Sequence, residues 1–190
     1  YIAMVQNRPR LFGAVYQAGQ LYRKLPCRSP VYYVNRRMVP IIRSYLARHS
    51  YDIILTTHLY PAEIITNMKD RGVPIPRAIY VSTDYVFPGT PNGPDGHTPL
   101  DECCVPAPVS AYGQTKLLGE QYVQRFCRRH FIVRTAWLYG YHGKNFVKTM
   151  VNLGKTHSEV TVVNDQLGNP TNAVDLAYHL LKLAVSHDYG

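Results

Sequence analysis

The chain has 190 residues, 46% hydrophobic and 17% charged, which is typical of a globular protein and excludes disordered, collagenous and coiled-coil classes. No apolar run approaches the roughly 18 residues needed to cross a bilayer, and no targeting peptide begins the chain, so we expect a soluble, cytoplasmic protein. The four cysteines form no CxxC pair and no metal-ligand spacing, so we expect no metal site.

The net charge of +9 lies entirely in residues 1–80. These residues hold 12 Lys and Arg against 3 Asp and Glu, while residues 81–190 hold 9 of each. Such asymmetry commonly marks a surface that meets an anionic partner, such as nucleic acid, lipid headgroups or a phosphorylated substrate. An ordinary solvated basic face is the alternative interpretation.

Hydrophobic periodicity predicts alternating helices and strands from residue 38 onward. An apolar stripe over 38–46 predicts a helix, 52–57 a strand, 62–71 a helix and 78–83 a second strand. Six prolines and three glycines over 87–109 then predict a long surface loop.

Ser110 is a predicted N-cap for a helix that runs to about residue 129 and buries Leu117, Leu118, Tyr122 and Phe126. A strand over 131–135, a helix over 145–153, a strand over 160–163 and a last helix capped by Asn172 complete the prediction. This alternation favours an α/β fold with a mostly parallel sheet and helices on both faces. Ligands bind such sheets at the carboxyl ends of the strands.

Acid–base chemistry is suggested where the 78–83 strand ends and the 110–129 helix begins. Ser82 and Thr83 place hydroxyls at the strand end, and Tyr112 and Lys116 share one helix face at i and i+4. A nearby ammonium lowers the pKa of a phenol, which makes it a better proton donor and acceptor. Tyr178 and Lys182 repeat the spacing, but core packing of the Tyr and solvation of the Lys explain that pair.

Five consecutive segments, VSTDYVFPG, VSAYGQTKLLGE, VRTAWLYG, HGKNFVKTM and VVNDQLGNPT, resemble the dTDP-4-dehydrorhamnose reductases of the extended short-chain dehydrogenase/reductase superfamily. The resemblance covers residues 81–190 and implies a Rossmann-like fold. It also implies reduction of a dTDP-4-keto sugar by NADPH or NADH in dTDP-L-rhamnose biosynthesis. It allows a homodimer and involves no nucleic acid.

The resemblance assigns roles to particular residues. It makes Tyr112 the catalytic acid, Lys116 its pKa-lowering partner and Thr83 a further catalytic residue. Tyr112, Lys116 and Ser82 would contact the cofactor. Substrate contacts would come from Thr83, Asp84, Tyr85, Trp137 and Asn145.

The glycine-rich turn of a dinucleotide site is missing, because the thirteen glycines form neither GxGxxG nor GxxGxxG. Residues 1–85 resemble instead the N-terminal domain of monogalactosyldiacylglycerol-synthase-like glycosyltransferases, in RLFGAVYQAGQLYRK and YDIILTTHLYPAEIIT. That resemblance implies contact with an anionic membrane surface and places His58 near an acceptor lipid.

We therefore expect a chimera with a basic segment, 1–80, and a C-terminally truncated reductase-like segment, 81–190, incomplete relative to either parent family. Two alternatives to the reductase stay open. One is a fragment of a membrane-surface diacylglycerol glycosyltransferase, and the other is an inactive chimeric fold.

Overall fold

The computed structural model describes residues 30–89 and 99–189. The predictions that concern residues 1–29, including the first glycosyltransferase-like segment, and loop residues 90–98 lie outside this part of the chain. None of the described helices is long and apolar enough to cross a membrane.

Two helices precede the sheet, α1 (Pro30–Arg36) and α2 (Val39–Arg48). α2 confirms the helix predicted from the apolar stripe, and Pro40 is tolerated because the first turn needs no donor at that position. Most of the stripe faces outward, since Ile41 is 61% and Tyr45 51% exposed while Val39 is buried.

Three parallel strands form the main sheet in the order β1 (Ile53–Thr56), β2 (Arg77–Thr83) and β3 (His130–Thr135). Helix α3 (Leu59–Lys69) connects β1 to β2, and α4 (Ala111–Phe126) connects β2 to β3. Because parallel crossovers are right-handed, strands in sequential order carry both helices on one face of the sheet. α3 and α4 accordingly pack against each other and on β2.

One hydrophobic core spans residue 80, since Ala62 of α3, Ala78 and Tyr80 of β2 and Val123 of α4 pack together with Cys127. α1 is joined to this unit by a buried hydrogen bond of 2.7 Å from Asn35 Nδ2 to Glu63 Oε2. The segments on either side of residue 80 therefore share a sheet and a core. The predicted α/β class with a mostly parallel sheet is confirmed, but the two described crossover helices lie on one face of the sheet and not on both, because the three strands follow each other in sequential order.

The buried face of α4 differs from the prediction. Leu118 is 39% exposed and Leu117, Tyr122 and Phe126 are only half-buried, whereas the buried residues are Gly113, Lys116, Gly119, Glu120 and Val123. The physical reason is close approach: a Cβ added to Gly119 would lie 2.1 Å from the Tyr80 hydroxyl. The helix packs on β2 through its glycines, and its leucines stay half-buried or exposed.

Beyond β3, a two-stranded parallel sheet pairs β4 (Leu138–Tyr139) with β5 (Thr171–Asn172), accompanied by α5 (Phe146–Leu153) and α6 (Ala173–Val185). Asn172 caps α6 by accepting a hydrogen bond from Val174 N at 2.8 Å, as predicted. The strand predicted over 160–163 is wrong, because these residues are exposed and pair with no strand in the described part of the chain. An apolar run without a neighbouring strand leaves its backbone groups to water.

Candidate functional site

The carboxyl edge of the main sheet is lined with hydroxyl residues. β1, β2 and β3 end in Thr56, Thr83 and Thr135, and Thr83 and Thr135 are direct register partners. Helix α4 begins at the same edge, where Ser110 Oγ accepts a hydrogen bond of 3.0 Å from Gly113 N. The predicted N-cap is therefore confirmed, and it brings the first turn of α4 to the ends of the strands.

Lys116 is a buried lysine at this edge, with only 7% of its surface exposed. Its ammonium donates hydrogen bonds to the carbonyl oxygens of Thr57, at 2.8 Å, and Val81, at 2.6 Å. Through these two hydrogen bonds, Lys116 links the residue that follows β1 to a residue of β2. An ammonium has three N–H donors, so one remains available for a further acceptor.

Tyr112, in contrast to the buried Lys116, is 56% exposed. Its ring meets that of Tyr85 edge-on, with centroids 5.8 Å apart, and the two phenols form an exposed aromatic pair. Gly113 allows helix α4 to approach the backbone of Tyr85, since a Cβ at residue 113 would lie 2.0 Å from the Tyr85 carbonyl oxygen. The structure thus brings Tyr112, Tyr85 and Lys116 to one edge, although the described bonds of the Lys116 ammonium go to backbone carbonyls.

Thr83 and Ser82 use their hydroxyls differently. Thr83 Oγ1 caps the short 3₁₀ turn Asp84–Val86 by accepting from Tyr85 N at 3.3 Å, and it donates to Asp84 Oδ1 at 2.9 Å. The Ser82 hydroxyl is buried and has no hydrogen-bond partner. Buried polar groups are normally paired, so the unpartnered Ser82 hydroxyl at this strand end is an exception that a bound ligand or water molecule would explain.

A partly buried ion pair lies behind the edge. Glu120, 1% exposed, accepts hydrogen bonds from Arg134 Nε at 3.0 Å and from Arg134 Nη2 at 2.8 Å. Burial lowers the pKa of Lys116, and the Glu120 carboxylate partly opposes that change. Burial, followed by the charges of Glu120 and Tyr112, raises the pKa of Tyr80. The buried groups nearest to Lys116 therefore include one anion that favours its charged form.

The two remaining predicted substrate residues lie beyond β3. Trp137 has a positive φ of 45°, uncommon for a bulky residue, is 46% exposed, and lies against Gly168. Asn145 caps α5 by accepting from Lys148 N at 3.0 Å, and its Nδ2 donates to Gly140 O at 2.8 Å. Asn145 is thus occupied with local backbone, while Trp137 keeps an exposed indole two residues past Thr135.

Sequence reasoning missed four contributors to the edge: the Thr57 carbonyl, Tyr80, Glu120 and Thr135. Thr135 Oγ1 is buried without a hydrogen-bond partner, as Ser82 Oγ is. Only Thr135 could have been found from sequence, as a hydroxyl residue that ends a predicted strand. The other three act through tertiary contacts between separate elements.

The edge fits only one end of a dinucleotide. The third donor of Lys116, the phenol of the exposed Tyr112 and the unpartnered Ser82 hydroxyl are hydrogen-bonding groups of the kind that a ribose requires. A glycine-rich turn for the pyrophosphate is missing from the 190 residues. Within residues 30–89 and 99–189, no group of three or more His, Cys, Asp or Glu side chains could hold a metal ion.

Comparison with known proteins identifies relatives of residues 58–189, which match the RmlD substrate binding domain model. The dTDP-4-dehydrorhamnose reductase of Shigella flexneri is 45% identical over 111 residues, covering 57% of this chain and 36% of that protein. The dTDP-4-keto-6-deoxy-D-glucose reductase of Streptomyces niveus is 44% identical over 122 residues, covering 64% of this chain and 40% of that protein. The chain therefore spans well under half the length of these curated relatives.

Among solved structures, a dTDP-4-dehydrorhamnose reductase from Bacillus anthracis str. Ames in complex with NADP is similar in fold, with a TM-score of 0.67 and 34% identity. The similarity covers 80% of this chain and 58% of that one, and it confirms a Rossmann-like fold. The family match begins at His58, upstream of the motifs that carry the reductase resemblance. The glycosyltransferase alternative receives no support from these relatives, while the chimera and the boundary at residue 80 stay hypotheses.

Proposed function

The chain belongs to the RmlD substrate-binding domain family, and on that premise we propose that it takes part in the NADPH- or NADH-dependent reduction of a dTDP-4-keto sugar. The reaction places a hydride on the ketone carbon and a proton on its oxygen. The proposal concerns which residues of this chain supply the proton and hold the ketone.

Tyr112 is the proposed proton donor. The residue is 56% exposed at the carboxyl edge of the sheet, where a sugar can approach, and the first turn of α4 fixes its backbone. Lys116 follows one helical turn later and is anchored by two carbonyls, so its remaining donor has a defined direction. A fixed ammonium beside a reacting phenol favours the phenolate that forms when the proton leaves.

Ser82 and Thr83 are the proposed contacts for the cofactor and the ketone. Ser82 has a buried hydroxyl free to donate, whereas Thr83 already donates to Asp84 and accepts from Tyr85 N. Asp84, Tyr85, Trp137 and Asn145 are proposed as substrate contacts. When bound, the nicotinamide cofactor supplies the hydride.

The observation that carries the proposal is the contrast between the exposed Tyr112 and the buried Lys116 on one helix at the carboxyl edge of a parallel sheet. In α/β sheets ligands bind at this edge. The second Tyr–Lys pair lacks the contrast, because Tyr178 is 55% exposed and Lys182 is exposed as well.

The test uses the 190-residue chain with NADPH or NADH and a dTDP-4-keto sugar. Cofactor binding is measured by saturation-transfer NMR and thermal shift, since a ligand that binds the folded state raises the melting temperature. Tyr112→Phe is expected to abolish turnover and leave the fold intact. Tyr178→Phe, at the second pair, is the matched control and is expected to retain wild-type turnover. No cofactor binding at millimolar concentration, or full activity in Tyr112→Phe, would refute the proposal.

A membrane surface is a second candidate partner, favoured by the first two helices. α1 and α2 expose Val34, Ile41 and Tyr45 beside Arg36 and Arg43. Apolar side chains flanked by cations are typical of helices that lie on anionic bilayers, where each basic residue adds about 1 kcal/mol.

Sedimentation with anionic and neutral vesicles at low and high salt tests the membrane candidate. Binding is expected only to anionic vesicles and should fall with salt and in Arg36→Gln/Arg43→Gln. Equal binding to neutral vesicles, or none at low salt, would contradict it. A homodimer and a cytoplasmic location stay predictions, which sedimentation velocity and cell fractionation test.

A further inference from the structure

A buried phenol lies next to the Lys116 ammonium without taking part in any hydrogen bond. The ring of Tyr80 is fully buried, and the ammonium lies over it, 4.7 Å from the ring centroid. The Tyr80 hydroxyl has no partner, and it lies where Gly119 leaves room for it. A tyrosine held in this way contributes its ring face to the site and not its hydroxyl.

The ring matters because the ammonium is taken out of water. Removing a charge from water disfavours the charged form unless hydrogen bonds, opposite charge or an aromatic face replace the solvent. Lys116 obtains two hydrogen bonds from the Thr57 and Val81 carbonyls. The charge of Glu120, on its own helix, is shared with Arg134 of β3 through two hydrogen bonds. The face of Tyr80 on β2 is thus a main remaining source of attraction.

We propose that Tyr80 is a positioning residue for Lys116: its buried ring lies beneath the ammonium, keeps that group charged, and directs its free donor toward the carboxyl edge of the sheet. This inference rests on the proposed function for the role of Lys116 in the reaction. Tyr80 touches neither substrate nor cofactor and acts only through Lys116. The attraction is of the cation–π type, which is strongest in desolvated sites.

The closeness of α4 to β2 makes the contact specific. A Cβ at Gly119 would lie 2.1 Å from the Tyr80 hydroxyl oxygen and 2.4 Å from Cζ, so the helix can approach the ring only because residue 119 has no side chain. Lys116 lies one turn before Gly119 on the same buried face. The position of the ammonium over the ring therefore depends on the glycine as well.

The test measures the pKa of Lys116 directly, by NMR titration of the ¹³Cε signal in the lysine-labelled 190-residue chain, with Lys116→Met to assign the signal. Tyr80→Leu removes the ring, and Tyr80→Phe keeps it while removing the unpartnered hydroxyl. The pKa of Lys116 is expected to fall by about one in Tyr80→Leu, the size expected for a desolvated cation–π contact. It is expected to stay close to the wild-type value in Tyr80→Phe.

The second Tyr–Lys pair provides a matched control. Lys182 lies 4.5 Å from the Tyr178 ring centroid, a similar distance, but both residues are exposed. Tyr178→Leu is therefore expected to leave the pKa of Lys182 nearly unchanged, because water replaces the ring. An unchanged Lys116 pKa in Tyr80→Leu, or an equal fall in Tyr80→Phe, overturns the proposal.

A measurement on the wild type decides the matter if Tyr80→Leu does not fold. Protons above an aromatic face resonate upfield, so the Hε signals of Lys116 are expected upfield of those of the exposed Lys155, as those of Lys182 should be. Lys116 signals at the Lys155 position overturn the proposal.

Turnover separates this inference from the proposed function. If the chain reduces a dTDP-4-keto sugar, the alkaline limb of its pH–rate profile is expected to move down in Tyr80→Leu by the same amount as the pKa of Lys116. If the titrations behave as expected and the wild type shows no cofactor binding, the proposed function fails while the effect of Tyr80 on the charge of Lys116 stands.

Discussion

Replacing Gly119 by alanine tests the close packing that builds the site. The added Cβ would lie 2.1 Å from the hydroxyl oxygen and 2.4 Å from Cζ of Tyr80, and this ring is fully buried. Helix α4 or β2 must therefore move by about 1 Å to restore ordinary contact, and such overpacking costs typically 1–3 kcal/mol. Alanine recovers up to about 1 kcal/mol through its higher helix propensity. We expect a net loss of about 1–2 kcal/mol in the free energy of unfolding.

Urea denaturation, followed by circular dichroism, measures this loss. The control is Gly154→Ala, at the C-cap of α5, where φ is −63° and the nearest atom to the added Cβ is 3.4 Å away. That variant is expected to be neutral or more stable by about 0.4–1 kcal/mol, because alanine restricts the unfolded chain. Combining Gly119→Ala with Tyr80→Phe should recover only part of the loss, since the clash with Cζ remains. A Gly119→Ala protein as stable as the wild type would show that the packing of α4 on Tyr80 is wrong.

Three further predictions concern the buried polar groups. Arg134→Met removes the partner that donates two hydrogen bonds to the buried Glu120 carboxylate and leaves only the charge of Lys116 to attract it. Because Arg134 is partly exposed, the expected cost in urea denaturation is about 3 kcal/mol, the lower end for breaking a buried pair, with Glu120→Gln/Arg134→Met recovering part of it; a loss below about 1 kcal/mol would contradict the ion pair. Burial lowers the pKa of Lys116 below its usual 10.5, so at pH values between the folded-state pKa and 10.5 the unfolded state binds more protons. The stability of the wild type relative to Lys116→Met should therefore rise with pH in that range. A stability difference that does not change with pH would contradict a buried ammonium. Ser82→Ala removes an unpartnered buried hydroxyl, so stability in thermal denaturation should be unchanged or slightly higher. NADPH binding should weaken in the same variant. A marked loss of stability would mean that the hydroxyl is paired.

Local patterns predicted the elements that position the site. The Ser110 and Asn172 caps, the strands that became β2 and β3, and the helices that became α2 to α6 all have short-range signals in composition and periodicity. The two-residue strands β4 and β5 carry no such signal, since period-2 alternation needs a longer run. The apolar run over 160–163 has the signal of a strand without a partner to pair with.

The burial of α4 shows a different limit. Its leucines suggested one buried face, but tertiary contact selected the face with Gly113 and Gly119, because only glycine lets the helix approach the Tyr85 carbonyl and the Tyr80 ring. Apolar periodicity predicts burial where side chains fill the interface, and it fails where the absence of a side chain makes the interface.

The candidate site was predictable to the extent that its chemistry is local. Tyr112 and Lys116 are a helical turn apart, so their common location follows from sequence. The Thr57 carbonyl that anchors Lys116 is 59 residues away. Because every residue has a backbone carbonyl, nothing in the sequence marks this one as the acceptor. The sequence also predicts that Lys116 acts on the pKa of Tyr112, whereas the described hydrogen bonds of its ammonium go to the carbonyl oxygens of Thr57 and Val81.

The sequential order of β1, β2 and β3 also has a consequence for how the chain acquires its structure. Each strand docks beside the one made just before it, so each closure spans only the connection between neighbouring strands, residues 57–76 and then 84–129, and the entropic cost of closure grows only slowly with that length. A ribosome that releases residues in order can therefore let each strand–helix unit settle on its predecessor during synthesis. The Lys116 ammonium can make its two hydrogen bonds as soon as α4 docks, because Thr57 and Val81 precede α4 in the chain and have left the ribosome before it.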